Sequence, residues 1–247
     1  MKKRYLSLLL VLAMLLTACG GSKEDVSGSV QPAKTEAAGS GKADTAVAQP
    51  LETEPAETER PVSMGRIEGG TYTNSYVGFG CELDSSWTFY GAEELQEMPQ
   101  NAKDLMEGSE LGDAIDVLNQ FTDMMAENTE QLCTMNLLYQ KIPAESRMVY
   151  AVMDEAKILE LVLEEKDAMI AAYAQGGFDV ESMEVVKVTF LGEERTALKT
   201  ASTTQGVPYY TLQLFDYKLG QYSTTLTLAS FMEDNTASLL ELFFPVA

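Results

Sequence analysis

Three cysteines (Cys19, Cys81 and Cys133), 38 Asp and Glu, and no histidine are the groups with which this 247-residue chain could do chemistry. Without histidine the commonest metal ligand and the usual general base are missing, which disfavours a catalytic triad or a His-ligated zinc site and leaves carboxylates as the acid-base groups. A cysteine nucleophile needs a basic neighbour to lower its pKa, so with no histidine that role is set aside for Cys81 and Cys133. Both fall at apolar-alternating positions of strand-like stretches, and two readings stand. They could pair as a disulfide across a sheet in an oxidising compartment, or they could be two buried free thiols acting as small hydrophobes.

The carboxylates form no calcium-loop pattern of alternating Asp and Asn closed by a Gly and a distal Glu. Glu160, Glu164, Glu165 and Asp167 flank Lys157 and Lys166 in the manner of a solvated helix face. A glycosidase pair would have to be assembled by the fold, and spacing selects none. Gly39-Ser40-Gly41-Lys42 has the look of a phosphate-loop tail. It lacks the leading Gly at Glu36, the Ser or Thr at Ala43, and a flanking strand and helix. No cofactor is expected. Lys and Arg number 17, for a formal net charge of -21, and a chain so acidic is a poor ligand for nucleic acid, whose binding relies on Lys and Arg neutralising phosphates.

Cys19 sits in a different setting. Lys2, Lys3 and Arg4 make a basic start, and Leu6 to Leu16 is an uninterrupted apolar run. As a helix that run covers roughly 16 Å, about half of a ~30 Å hydrocarbon core, so it reads as a signal h-region and not as a permanent span. Leu16-Thr17-Ala18-Cys19, followed by Gly20 and Gly21, resembles the bacterial lipobox. The resemblance implies a diacylglyceryl thioether on Cys19, a mature chain beginning there, and a protein held by lipid on the extracytoplasmic face of the cell membrane. Two acyl chains anchor stably where one does not. The plainer alternative is a secretory signal cleaved near Ala18, leaving Cys19 as a stray thiol.

Gly20 to Gly70 has no aromatic residue and carries four prolines, Pro32, Pro50, Pro55 and Pro61, with an acidic block from Glu52 to Glu59. It cannot bury enough apolar surface to offset its ordering entropy and is expected to be a disordered tether reaching about 40 Å. A single folded domain is expected from Thr71 to Ala247, with 9 Lys and Arg against 29 Asp and Glu.

Within that domain, Gly70 to Val77 and Gly78 to Asp84 read as paired strands. Acidic helices are expected over Ala92 to Met98 and Asn101 to Asn119, the second with Leu105, Leu111, Ile115 and Leu118 as its buried stripe. Phe121 to Ala126 and Gln131 to Lys141 read as a hairpin with Cys133, Met135, Leu137 and Tyr139 on one face. Val149, Val152, Ala156, Leu159, Leu163, Ile170 and Tyr173 predict one long helix stopped by Gly176-Gly177. Ser182 to Leu191, Glu194 to Ser202, Tyr209 to Tyr217 and Tyr222 to Ser230 predict a four-stranded meander turning at Gln205-Gly206 and Leu219-Gly220. Asn235 to Phe244 predicts a last short helix capped by Asn235 and ended by Pro245. The order β-β-α-β-β-α-β-β-β-β-α argues an antiparallel sheet flanked by helices, the α+β class. Tyr72, Tyr76 and Trp87, and Tyr209, Tyr210, Tyr217 and Tyr222, are expected at core rims, and the strand holding Thr224 and Thr227 as half-buried.

Tyr72-x-Asn74-x-x-x-Gly78-Phe79, Leu83-Asp84-x-x-Trp87, Asp123-Met124 ahead of Met135-Asn136, Val188-Thr189-Phe190-Leu191-Gly192 and Thr225 to Ser230 together resemble lipoproteins of gut Clostridia-type bacteria. Their domain is similar to the PsbP-like α/β/α sandwich of an extrinsic photosystem II subunit and of a Ran-binding nuclear import factor. The resemblance covers about Gly70 to Pro245 and implies a binding or assembly module without catalysis of its own. It carries no functional residues across, since fold does not imply site. The expectation is a non-catalytic envelope lipoprotein with a protein partner. The alternatives are a receptor for an amphiphile or glycan held between sheet and helix, and a carboxylate-dependent hydrolase.

Overall fold

Alternation of apolar and polar residues along the chain builds two antiparallel sheets in the computed structural model, which describes residues 63–95, 120–217 and 220–246. The signal segment, Cys19, the tether up to residue 62, the Gly39-Ser40-Gly41-Lys42 stretch and the Asn101 to Asn119 helix expectation lie outside the described residues. Chain order is β1 (Arg66–Glu68), β2 (Thr71–Asn74), β3 (Phe79–Glu82), β4 (Thr88–Phe89), a helical turn over 92–95, then β5 (Gln120–Asn128) and β6 (Cys133–Lys141). Three helices follow, α1 (Ala144–Val152), α2 (Glu155–Leu163) and α3 (Lys166–Gln175). The meander is β7 (Phe178–Phe190), β8 (Glu193–Thr204), β9 (Val207–Asp216) and β10 (Tyr222–Phe231). A short α4 (Thr236–Leu239), a 3-10 turn (Leu240–Leu242) and β11 (Phe243–Pro245) end the fold.

The larger sheet runs β4-β5-β6-β10-β9-β8-β7 and the smaller β1-β2-β3-β11, every pair antiparallel. This is the α+β class that the element order argues. One face of the larger sheet packs on α1 to α3 through Leu159, Val162, Met169 and Tyr173 against Leu198, Tyr209 and Phe215. The other packs on the smaller sheet through Met124, Met135, Leu137 and Leu228 against Tyr72, Phe79 and Cys81. Cys133, Met135, Leu137 and Tyr139 all point into that second core, as their spacing predicts.

Two-residue turns close the β7–β8 and β8–β9 hairpins. Leu191 and Gly192 take φ of 53° and 83°, and Gln205 and Gly206 take 50° and 79°. Two successive positive φ values are the mirror-image turn whose twist matches that of paired strands, which is why Gly stands second in each. The β5–β6 loop is held by Asn128, whose Oδ1 accepts from the N–H groups of Glu130 and Gln131 at 3.1 and 2.9 Å.

Three expectations are corrected. The single long helix is broken at Asp154, whose carboxylate accepts from the Lys157 N–H at 2.7 Å and starts α2 afresh, and again at Glu164 and Glu165. The buried face is therefore Ile158, Leu159, Val162, Met169, Ala172 and Tyr173, whereas Val149 and Val152 are exposed. The last helix stops at Leu239, its entry held by Asp234 bonding Thr236 and not by the Asn235 side chain. Pro245 ends a strand, not a helix, because Phe243 and Phe244 extend beside Cys81 and Gly80. Paired backbone also begins at Arg66, within the stretch read as tether, since β1 pairs with β2.

Candidate functional site

Among the described residues Asp123 is the most deeply buried charged side chain, and it has a full set of partners. A bulge interrupts β5 between Thr122 and Met124, and Asp123 is the residue it displaces from the ladder. Its side chain is 5% exposed. It accepts from the Gly65 N–H at 2.9 and 3.1 Å, the Tyr72 hydroxyl at 2.5 Å and the Asn74 Nδ2 at 2.7 Å. The two Nδ2 hydrogens of Asn74 are shared further with the Tyr139 hydroxyl at 2.9 Å and the Ser63 carbonyl at 3.3 Å, while its Oδ1 accepts from the Tyr76 N–H. Burial, reinforced by the Asp123 charge, drives the Tyr72 and Tyr139 phenols far above their usual range, so both stay protonated.

Gly65 belongs to the same cluster: a Cβ there would lie 2.1 Å from the Tyr72 ring. A carboxylate already accepting from three donors in the gap between two sheets is poorly placed to take a proton from a substrate. The cluster clamps the entry of the domain, residues 63–74, onto the larger sheet through charge-assisted bonds.

The other carboxylates are arranged as supports. Glu155 at the start of α2 accepts from Arg195 at 2.8 Å and from the Thr196 N–H at 2.8 Å, pinning the helix layer to β8. Glu160 pairs with Lys157 on the exposed helix face. No three His, Cys, Asp or Glu side chains converge as a metal set among the described residues.

Cys81 and Cys133 are free thiols, the second of the two readings the sequence left open. They border the same core but from different sheets: Cys81 pairs across strands with Tyr72 and Phe243, and Cys133 with Asn128 and Ser230. Burial pushes the Cys81 thiol up to about 12 and raises that of Cys133, so neither is a ready nucleophile. Tyr72, Tyr76, Tyr209 and Tyr217 are buried and Trp87, Tyr210 and Tyr222 half-buried, which places the aromatics in cores and at their rims.

A concave surface opens where the free ends of the two sheets come together. The end of β7, Lys187, Val188 and Thr189, and its turn, Leu191 and Gly192, form one wall. Ala237, Leu240, Glu241 and Phe243 to Pro245 form the other, around about 620 Å³. Its lining is mostly apolar, with one ammonium, one carboxylate and the Thr189 hydroxyl. Lys187 Nζ lies 3.3 Å from Glu194 and donates to the Thr196 hydroxyl at 3.1 Å, so the ammonium is already engaged. Sequence reasoning missed this groove. Val188 to Gly192 read as a strand end and Phe243 to Pro245 as a helix end, and only the pairing of β11 with β3 swings the latter against β7.

No helix among the described residues is long and apolar enough to cross a membrane. No protein-family model matches this chain, and no curated protein matches it. Among solved structures the chain is similar to the solution structure of cyanobacterial PsbP (CyanoP) from Synechocystis sp. PCC 6803 at 10% identity and a TM-score of 0.37, over 75% of this chain and 94% of that one.

Proposed function

We propose that the chain is a membrane-anchored extracytoplasmic lipoprotein whose folded domain, carried above the lipid on the 20–62 segment, binds a protein partner through the groove between the end of β7 and the C-terminal segment. The observation that carries this reading is the groove itself: an open, mostly apolar surface with one engaged ammonium and one carboxylate, suited to contact. The anchor rests on the basic start, the h-region of Leu6 to Leu16 and the lipobox-like Leu16 to Gly21. A domain this acidic has no affinity of its own for an anionic lipid surface.

Both halves are testable in the producing cell. Cys19→Ser removes the sulfur that the lipid is attached to, and the protein should move from the detergent phase to the aqueous phase on phase separation. If it stays in detergent with its leader removed, the anchor is elsewhere. A photo-crosslinking residue at Leu191, in the groove wall, should give a discrete adduct with a protein partner, whereas one at the exposed Met148 of α1 should not. Equal labelling from both positions, or none from Leu191, rejects the groove as the contact.

A further inference from the structure

Most sheet edges in this fold are closed. β4 is two residues long, and β1 is three exposed residues. β11 has nothing to donate on its outer side, since the Phe243 N–H is taken by the Leu240 carbonyl and Pro245 has no N–H. The first half of β7 is disrupted by a bulge between Val180 and Ser182, and the Met183 carbonyl accepts from Lys166 Nζ of α3 at 3.1 Å.

Among the described residues the second half of β7 has no strand on its outer side. The two-residue turn at Leu191-Gly192 makes Phe190 and Glu193 the closing hydrogen-bonded pair, so Phe190, Val188 and Val186 direct their backbone groups to β8 and Thr189, Lys187 and Val185 direct theirs outward. The outward Met183 carbonyl caught by Lys166 agrees with that parity. Among the described residues no backbone bond is made by the outward groups of Val185, Lys187 and Thr189. This open edge forms the rim of the groove, beside Leu240 and Phe244. Around it Glu181, Glu184, Glu193 and Glu241 are exposed and make no ion pair among the described residues, whereas the cations Lys187 and Arg195 are paired to Glu194 and Glu155.

We infer that the partner is taken up by strand addition: an extended segment of a protein, with Lys or Arg alternating with apolar residues, pairs with the outward groups of Val185, Lys187 and Thr189 and lays its apolar side chains into the groove. Main-chain bonds supply affinity in such additions and alternate side-chain contacts supply selectivity. The exposed carboxylates favour a cationic segment and oppose pairing with a second copy of this acidic chain. The inference deepens the groove reading above and rests on it.

The test uses the full chain and a short capped peptide alternating Lys and Val. Binding should protect the Val185, Lys187 and Thr189 amides from hydrogen exchange, and should be lost for the same peptide N-methylated on the residues facing β7. Lys187→Pro removes an outward N–H without removing a bond to β8, so the fold should survive while peptide affinity falls about tenfold or more, the effect of roughly one to two backbone hydrogen bonds. Lys187→Thr, which frees Glu194 but keeps the N–H, should bind no more weakly than the parent. Undiminished binding by Lys187→Pro, unprotected amides at saturating peptide, or a dimer joined through β7 in the free chain would each overturn strand addition. A partner crosslink at Leu191 that survives Lys187→Pro would overturn strand addition and leave the groove reading intact.

Discussion

Replacing Asp123 by Ala should be among the most damaging single changes to this fold. The substitution strips three donors of their acceptor: the Gly65 N–H, the Tyr72 hydroxyl and one Asn74 N–H. Gly65 is only part-buried and can turn to water, and Asn74 retains the Tyr139 hydroxyl at 2.9 Å. Tyr72 is 0% exposed and is left with no acceptor of comparable strength. An orphaned buried donor costs about 1–3 kcal/mol, and loss of a charged acceptor stands at the upper end. With the vacated carboxylate volume added, a total of about 3–5 kcal/mol is expected, a large share of the roughly 5–15 kcal/mol that holds a typical domain together.

Urea unfolding of the full chain, followed by tryptophan fluorescence from Trp87, measures it. Tyr72→Phe alone should cost about 1–3 kcal/mol, because Asp123 keeps its other two donors. In the double variant the missing hydroxyl is no longer orphaned, so the loss should fall short of the sum. A loss below about 1 kcal/mol for Asp123→Ala, or strict additivity in the double variant, would refute the clamp.

Other consequences can be checked in the same preparations. Thr122 is 4% exposed and its hydroxyl finds no partner among the described residues, so Thr122→Val should be neutral or stabilising by up to about 1–2 kcal/mol, and a comparable destabilisation would mean that the hydroxyl is bonded in solution. With its thiol pushed up to about 12, Cys81 should resist a thiol reagent at pH 8 and react in denaturant; an intact mass two hydrogens lighter would instead reveal a bridge to Cys133. Burial works against ionisation of Asp234, but its bonds to Lys199 and Thr236 outweigh it and hold the carboxyl below its usual range. A depressed folded-state pKa gives stability that is present above the unfolded value of about 3.9 and is lost as pH falls through the folded value. Asp234→Asn should therefore lose less stability than the parent on acidification below about pH 4, and parallel acid limbs would count against the pair.

Local signals in the sequence were readable where the physics is local. Gln205-Gly206 announces its turn because two positive φ values need a small second residue, and the Cys133 to Tyr139 alternation announces a face because strand side chains alternate. The helix breaks at Asp154 were hidden because apolar spacing runs across it, and only the cap shows that the phase restarts. Phe243 and Phe244 fit the continuation of a helix as well as a strand, and their pairing with Cys81 and Gly80 spans most of the domain. The clamp joins Gly65, Tyr72, Asn74 and Tyr139 to Asp123 or to each other across as many as 65 residues, and the bulge that aims Asp123 leaves no periodic trace. The groove is of the same kind: it exists only because two chain segments read as element ends are brought wall to wall.

The most direct test of the groove as the binding surface is a hydrogen-exchange footprint of the full chain as purified from the producing cell, with and without solubilised envelope from a strain lacking it. Slowed exchange should be confined to 185–192 and 237–245, the outer edge of β7 with its turn and the facing wall of the groove. Slowing centred on α1 to α3, or none in either wall, would contradict the proposal.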